Sequence, residues 1–168
     1  MIHIDVTDEQ TRVPIDEERL RTAIAAVVGS GSRQRATISL AVVDNATIHT
    51  LNRRYLDHDY PTDVLSFVLE DDQESLGGEI IVSGDMAADT APQYGWSAED
   101  ELLLYVIHGS LHLIGYDDHT ATDAARMRME ETRYLALFGL SHPVRDSAPP
   151  AADTCGKMPQ PLAEGCLP

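Results

Sequence analysis

Residues 101–119, ELLLYVIHGSLHLIGYDDH, combine an apolar run with three of the seven histidines of the chain. Ser97 can cap a helix in front of this run, with Asp100 three residues later as its capping-box partner. Gly115 follows the apolar run, where glycine commonly ends a helix. The segment therefore predicts a buried helix between Ser97 and Gly115, followed by a turn.

The rest of the first 140 residues alternates between strand and helix patterns. Runs of alternating or continuous apolar residues predict strands over 2–6, 36–43, 63–70 and 79–82. Further helices are predicted after the capping residues Asp16, Asp44 and Thr120, together with an alanine-rich helix over 84–92. This order predicts an α+β fold, in which one mixed sheet is packed with helices.

The chain of 168 residues predicts one domain, residues 1–140, followed by a tail. Residues 141–168 are rich in proline, alanine and glycine without periodicity, which predicts disorder. The only two cysteines, Cys155 and Cys166, lie in this tail and do not suggest a disulfide framework. With no signal peptide or membrane-length apolar run, we expect a cytoplasmic protein without membrane contact.

The charge balance limits the possible partners. Twenty-eight acidic residues face 12 basic ones, for a formal net charge of −16. A nonspecific nucleic-acid binder is usually basic, because neutralisation of phosphates drives its affinity. The composition therefore counts against strong intrinsic binding of RNA or DNA.

The histidines predict a metal site. Residues four apart lie on one helix face, so His108 and His112 can bind one cation together. The chain can turn back at Gly115, which lets His119 or Asp118 supply a third ligand. Three protein ligands leave a position for water, as in catalytic zinc sites, where zinc lowers the pKa of that water. Paired core histidines are the alternative, but a third histidine within 12 residues favours one zinc ion per chain.

The spacing His108 to His112 also matches the zinc protease pattern H-E-x-x-H. In that pattern the glutamate is the general base, and here the position holds Gly109. The sequence therefore argues against an ordinary zinc protease, although not against hydrolysis.

Three blocks resemble one family, the YbeY endoribonucleases. HGSLHLIGYDD (108–118) is similar to its signature H-G-x-L-H-L-x-G-Y-D-H. LNRRYLDHDYPTDVLSF (51–67) and GGEIIVS (77–83) resemble two further family blocks, in the family's order. The resemblance covers about residues 1–140 and leaves out the tail.

This resemblance implies a metal-dependent, single-strand-specific endoribonuclease. It implies action in maturation of the 3′ end of small-subunit (16S) ribosomal RNA and in ribosome quality control. It also implies a zinc ion held by three histidines, for which we predict His108, His112 and His119. Because the chain is acidic, we expect recognition of ribosomal RNA to depend on the small ribosomal subunit, through a ribosomal protein.

Two positions depart from the family pattern. The third family histidine aligns with Asp118, and the histidine of this chain comes one residue later. We prefer His119 as the ligand, because a loop can absorb one residue and imidazole suits zinc, with Asp118 as the alternative. Leu56 stands where the family has an arginine suited to phosphate binding, and Arg53 or Arg54 could replace it.

Other residues have both a functional and a structural interpretation. Asp117, Asp118 and Glu79 are candidate general bases, while Asp63 could hydrogen-bond a ligating histidine or hold a turn. Asn52 could orient substrate or cap backbone, and Trp96 and Tyr116 could stack on a base or pack on the core. Two other functions stay open: a zinc hydrolase of another class, such as a peptidase, and a non-enzymatic ribosome assembly factor with a structural metal.

Overall fold

A computed structural model describes residues 1–145 and 155–157. Its strands are β1 (Ile2–Asp8), β2 (Arg35–Val43), β3 (Val64–Asp71), β4 (Ser75–Ser83) and β5 (Cys155–Lys157). Its α-helices are α1 (Glu17–Gly29), α2 (Asn45–Leu56), α3 (Gly84–Thr90), α4 (Ala98–Leu113) and α5 (Ala121–Ala136). A short 3₁₀ helix, Ala91–Tyr94, links α3 to α4.

All five strands form one mixed sheet in the order β1-β2-β4-β3-β5. The neighbouring pairs β1–β2, β2–β4 and β3–β5 are parallel, and the hairpin β3–β4 is antiparallel. The predicted α+β fold with one mixed sheet is confirmed.

The helix starts follow from local chemistry. The side chains of Asp16, Asp44, Ser97 and Thr120 each accept a backbone N–H three residues further on. Each cap satisfies an N–H that has no partner within its helix, and such a cap typically contributes about 1 kcal/mol. All four predicted caps are confirmed.

The two faces of the sheet carry different layers. Side chains alternate along a strand, so Leu65 and Phe67 of β3 point away from Ser66. Leu65, Phe67 and Ile81 form a small buried cluster against α2. The larger core lies on the opposite face, between the sheet and helices α1, α4 and α5.

Helix α4 approaches the sheet closely because a glycine on each side leaves room for side chains of the other. A Cβ at Gly109 would lie 2.9 Å from methyl groups of Ile80 and Val64. A Cβ at Gly78 would lie 2.8 Å from a methyl group of Leu113. The packing therefore favours the glycine that stands in place of the protease glutamate, because even a Cβ there forces its neighbours to shift.

Strand β4 starts earlier than predicted. The sequence predicted this strand at 79–82, whereas β4 begins at Ser75, after a short acidic loop, and includes Gly77 and Gly78. The Asp72 carboxylate accepts the backbone N–H groups of Glu74 and Ser75, at 2.8 and 2.7 Å. The acidic loop is thus a tight hairpin turn, which self-bonding aspartates favour.

The predicted tail is described only in part. Residues 141–145 lie against the domain, with His142 and Arg145 bonded to α5 and α4. Residues 155–157 form β5 at the edge of the sheet. The predicted disorder of the remainder, including Cys166, lies outside the described residues. Within residues 1–145 and 155–157, no helix combines the length and apolarity needed to cross a bilayer.

Candidate metal centre

The last two turns of α4 present two imidazoles side by side. The Nε2 atoms of His108 and His112 are 2.9 Å apart, as expected for histidines one turn apart on one helix face. The His112 side chain is 3% exposed and that of His108 is 19% exposed. The two predicted histidines therefore lie side by side, and His108 is the one that is more exposed to solvent.

Contacts behind the rings orient both imidazoles. The Nδ1 of His108 is 2.6 Å from Oε1 of Glu131, and the Nδ1 of His112 is 3.0 Å from the carbonyl oxygen of Tyr116. Both partners are acceptors, so both Nδ1 atoms donate a hydrogen. In the neutral rings each Nε2 then offers its lone pair toward the other ring, which suits a shared cation.

The loop after α4 brings a carboxylate to this pair. Gly115 has φ +101°, a backbone conformation that favours glycine, and the chain turns back there. Asp118 Oδ2 lies 3.6 Å from His108 Nε2, and Asp118 Oδ1 lies 4.0 Å from His112 Nε2. His108, His112 and Asp118 thus form a group that could hold a metal ion. Histidine nitrogen with carboxylate oxygen is an ordinary donor set for divalent transition metals.

The two candidates for the third ligand lie in different places. Asp118, not His119, lies beside the histidine pair. His119 Nε2 is instead 3.1 Å from Asp117 Oδ1, and the side chain of His119 is 49% exposed. Asp117 Oδ1 also accepts the backbone N–H of Asp118 at 2.7 Å, which holds the turn. The loop therefore reaches the pair at Asp118, the alternative third ligand of the sequence analysis.

The pKa values of the two histidines shift in opposite directions. Burial lowers the pKa of His108, but the hydrogen bond and negative charge of Glu131 outweigh it and raise the pKa to about 8. Burial and the charge on His108 lower the pKa of His112. At neutral pH, His108 therefore holds a proton that faces the bare Nε2 of His112. A metal ion would take the place of that proton.

Two predicted helpers lie elsewhere. Glu79 pairs with Phe67 in the sheet register and points to the α2 face, opposite to α4, so it does not reach the site. Asp63 caps its own strand, with Oδ1 2.9 Å from the N–H of Val64. Its charge still acts on His108, but the hydrogen bond to that ring comes from Glu131.

The remaining candidates have structural contacts. Asn52 is buried and donates to the carbonyl oxygen of Tyr60 at 2.9 Å. Trp96 and Tyr116 pack against the larger core, and Leu56 packs against the small cluster on the α2 face. The two arginines proposed as substitutes lie on α2, where Arg53 is 3.9 Å from Asp59 and Arg54 stacks over Tyr55.

Sequence reasoning missed two residues behind the site, Glu131 and His142. Glu131 joins His108 to His142, with oxygens at 2.6 and 2.7 Å from the two rings. The three residues are 23 and 11 positions apart, so no helical spacing linked them. The only available signal was a glutamate among the apolar-facing positions of α5, beside the buried Met127 and Tyr134.

Comparison with known proteins gives the context of this site. The family model described as Endoribonuclease YbeY matches residues 5–139. The chain belongs to the YbeY family. The resemblance seen in the three sequence blocks is therefore confirmed, and the match spans the whole metal centre but ends before His142.

Individual YbeY relatives agree over most of the chain. The Endoribonuclease YbeY of Rhodopirellula baltica is 40% identical, over 82% of this chain and 73% of its own length. That of Desulfitobacterium hafniense is 36% identical, over 83% of this chain and 99% of its own length. The solution structure of TM1509 from Thermotoga maritima superposes with a TM-score of 0.56 at 29% identity, over 80% of this chain and 87% of that one.

Proposed function

We propose that this protein is a zinc-dependent endoribonuclease that cleaves single-stranded ribosomal RNA. Its proposed role is maturation of the 3′ end of small-subunit (16S) RNA, and ribosome quality control. The observation that carries the proposal is the group of His108, His112 and Asp118, which lies within the YbeY match, in a chain whose relatives are named endoribonucleases.

Zinc is the proposed metal, with His108 Nε2, His112 Nε2 and one oxygen of Asp118 as ligands. Two imidazole nitrogens and a carboxylate are a usual set for a catalytic zinc, which keeps one position open. The partial exposure of His108 and Asp118, 19% and 16%, favours an open site over a closed structural one. When bound, zinc supplies Lewis acidity to the phosphate and lowers the pKa of a water molecule.

Other residues around the proposed ligands orient the two imidazoles and transfer protons. Glu131 and the carbonyl oxygen of Tyr116 hold the Nδ1–H atoms of the two imidazoles, so that both Nε2 atoms face the ion. Ligand atoms of Asp117, Asp118 and His119 lie within 4.8 Å of one another. We assign proton transfer to the Asp117–His119 pair, because it borders Asp118 and its side chains are half-exposed.

Phosphate contacts are proposed on α5. Among the arginines of residues 1–145, only Arg126 and Arg128 have neither an ion pair nor a ring contact. Arg126 lines a surface cavity of about 490 Å³ together with Tyr116 and Asp117 of the site loop. It is therefore the arginine best placed to contact RNA beside the metal centre.

The ribosome is the proposed partner. A net charge of −16 repels naked RNA, and two unpaired arginines give few phosphate contacts. We therefore propose that a protein of the small ribosomal subunit brings the RNA to the site. Tight binding of naked RNA with a steep salt dependence would contradict this part of the proposal.

The peptidase alternative lacks support from the geometry. The general base of H-E-x-x-H enzymes would occupy position 109, where even a Cβ would press on Ile80 and Val64.

The test is a cleavage assay with purified protein. A single-stranded RNA, the same sequence as a duplex, and an unfolded protein are each incubated with Zn²⁺ and with a chelator. We expect cleavage of the single-stranded RNA only, lost with chelator and restored by Zn²⁺. The His112→Ala variant should stay folded and inactive, whereas His49→Ala, at a 38% exposed side chain on α2, should keep full activity. Chelator-resistant cleavage, or cleavage of the unfolded protein alone, would overturn the proposal.

A further inference from the structure

The carboxylate of Glu131 is shared by two imidazoles from opposite sides. Its Oε1 lies 2.6 Å from Nδ1 of His108, and its Oε2 lies 2.7 Å from Nε2 of His142. The side chain of Glu131 is 10% exposed and that of His142 is 9% exposed. Burial raises the pKa of Glu131, but the hydrogen bonds from both rings outweigh it and lower the pKa to about 2. Each oxygen of Glu131 is therefore committed to one ring.

A carboxylate behind a histidine ligand has a known physical effect. Its hydrogen bond fixes which ring nitrogen carries the hydrogen, and so which nitrogen faces the metal. For His108, a donated Nδ1–H leaves the Nε2 lone pair directed toward His112 and Asp118. The same bond restricts rotation of the ring, which faces the open edge of the site.

The segment that carries His142 is held at two points. Two residues after Pro143, the Arg145 guanidinium donates to both oxygens of Glu101, at 2.6 and 2.7 Å. The Glu101 side chain is fully buried on α4, and Arg145 also lies over the ring of Tyr94, 4.4 Å from its centroid. Residues 142–145 thus bind α5 through Glu131 and α4 through Glu101.

We infer that His142 and Glu131 are positioning residues for the metal ligand His108. His142 holds the outer oxygen of Glu131, which keeps the inner oxygen on His108 Nδ1 and directs His108 Nε2 at the ion. This inference rests on the proposed metal site. His142 lies beyond residue 139, where the match to the family ends, in the segment that composition assigned to the tail. The residues that serve the metal site therefore include part of that segment.

The test measures Zn²⁺ affinity by competition with a chelating dye, without RNA. Glu131→Gln keeps the shape of the side chain but offers one carbonyl oxygen, so it cannot accept from both rings. We expect its Zn²⁺ affinity to fall about 10- to 100-fold, as for other partners of ligating histidines. The matched control is Glu130→Gln, one residue earlier on α5, where the glutamate pairs with Arg133 near the surface. The control should bind Zn²⁺ like the wild type.

His142 is tested by a pair of variants. His142→Ala removes the donor to Glu131 and should weaken Zn²⁺ binding, by less than Glu131→Gln. His142→Gln restores an N–H donor at a similar reach and should recover most of the affinity. The ¹⁵N shifts of the His108 ring, recorded above its raised pKa so that the ring is neutral, give a second readout: one tautomer with hydrogen on Nδ1 in the wild type, and a mixture in Glu131→Gln.

The outcomes separate positioning from mere stability. Lower melting temperatures of Glu131→Gln and His142→Ala with unchanged Zn²⁺ affinity and an unchanged His108 tautomer would overturn the inference. That outcome would leave the proposed function standing, because RNA cleavage by the wild type is measured separately. A protein that bound Zn²⁺ in a Glu131-dependent manner but left RNA intact would sink the proposed function and keep the inference.

Discussion

The metal centre has a helix-borne half and a loop-borne half, and they differ in how firmly they are held. His108 and His112 lie on a helix pressed onto the sheet, with both Nδ1 atoms bonded to acceptors. Asp117, Asp118 and His119 lie on a turn after Gly115, where two of the three side chains are nearly half-exposed. Helix periodicity thus places two candidate ligands, whereas the backbone of the loop places the third.

The largest expected effect tests the loop-borne half. Asp118→Ala removes the carboxylate beside both imidazoles and should weaken Zn²⁺ binding by about 100-fold or more, since partners behind a ligand already give about 10- to 100-fold. His119→Ala should leave the Zn²⁺ affinity nearly unchanged, because the His119 ring contacts Asp117 and not the histidine pair. Isothermal titration with Zn²⁺ measures both. The reverse ranking of the two variants would restore His119 as the ligand.

The next effect tests the packing that holds the helix-borne half. Gly109→Ala places a methyl group 2.9 Å from Ile80 and Val64, and such overpacking costs about 1–3 kcal/mol. Urea unfolding of the variant should show this loss in the free energy of unfolding. In the control, Gly29→Ala, the added methyl meets only Ile2 at 3.4 Å, so stability should hardly change. Equal stability of both variants would mean that α4 can move off the sheet.

The smallest expected effect is the pH dependence of Zn²⁺ affinity, which tests the helix-borne half through His108. A metal at His108 Nε2 must displace the proton of a group whose pKa is raised to about 8. Zn²⁺ affinity should therefore fall about tenfold per pH unit as the pH drops below that value, and level off above it. In Glu131→Gln, which removes the anion that raises this pKa, the break should move to lower pH. An affinity independent of pH across this range would show that the ion does not bind His108.

Local signals explain why much of the fold was predictable. The caps at Asp16, Asp44, Ser97 and Thr120 act within four residues, and so do the i, i+4 histidines. Such contacts leave a direct mark in the sequence. The resemblance to the family also indicated the order of the three sequence blocks along the chain.

The rest depends on contacts between distant residues. Nothing near Glu131 marks it as the partner of His108, because the helix α5 must first fold back onto α4. The same holds for Gly109 and Gly78, whose need for a missing Cβ appears only when helix and sheet meet. The choice between Asp118 and His119 follows from one backbone turn at Gly115, and spacing alone does not encode its direction.

The three proposed ligands and Glu131 all come from one short stretch, from His108 to Glu131. Groups so near in sequence stay near each other in the unfolded chain, because closing a short loop costs little entropy. We therefore expect the denatured protein to keep some affinity for the ion, which reduces the stabilisation that ligand binding gives the native state. Saturating zinc should consequently raise the melting temperature by less than its native dissociation constant implies.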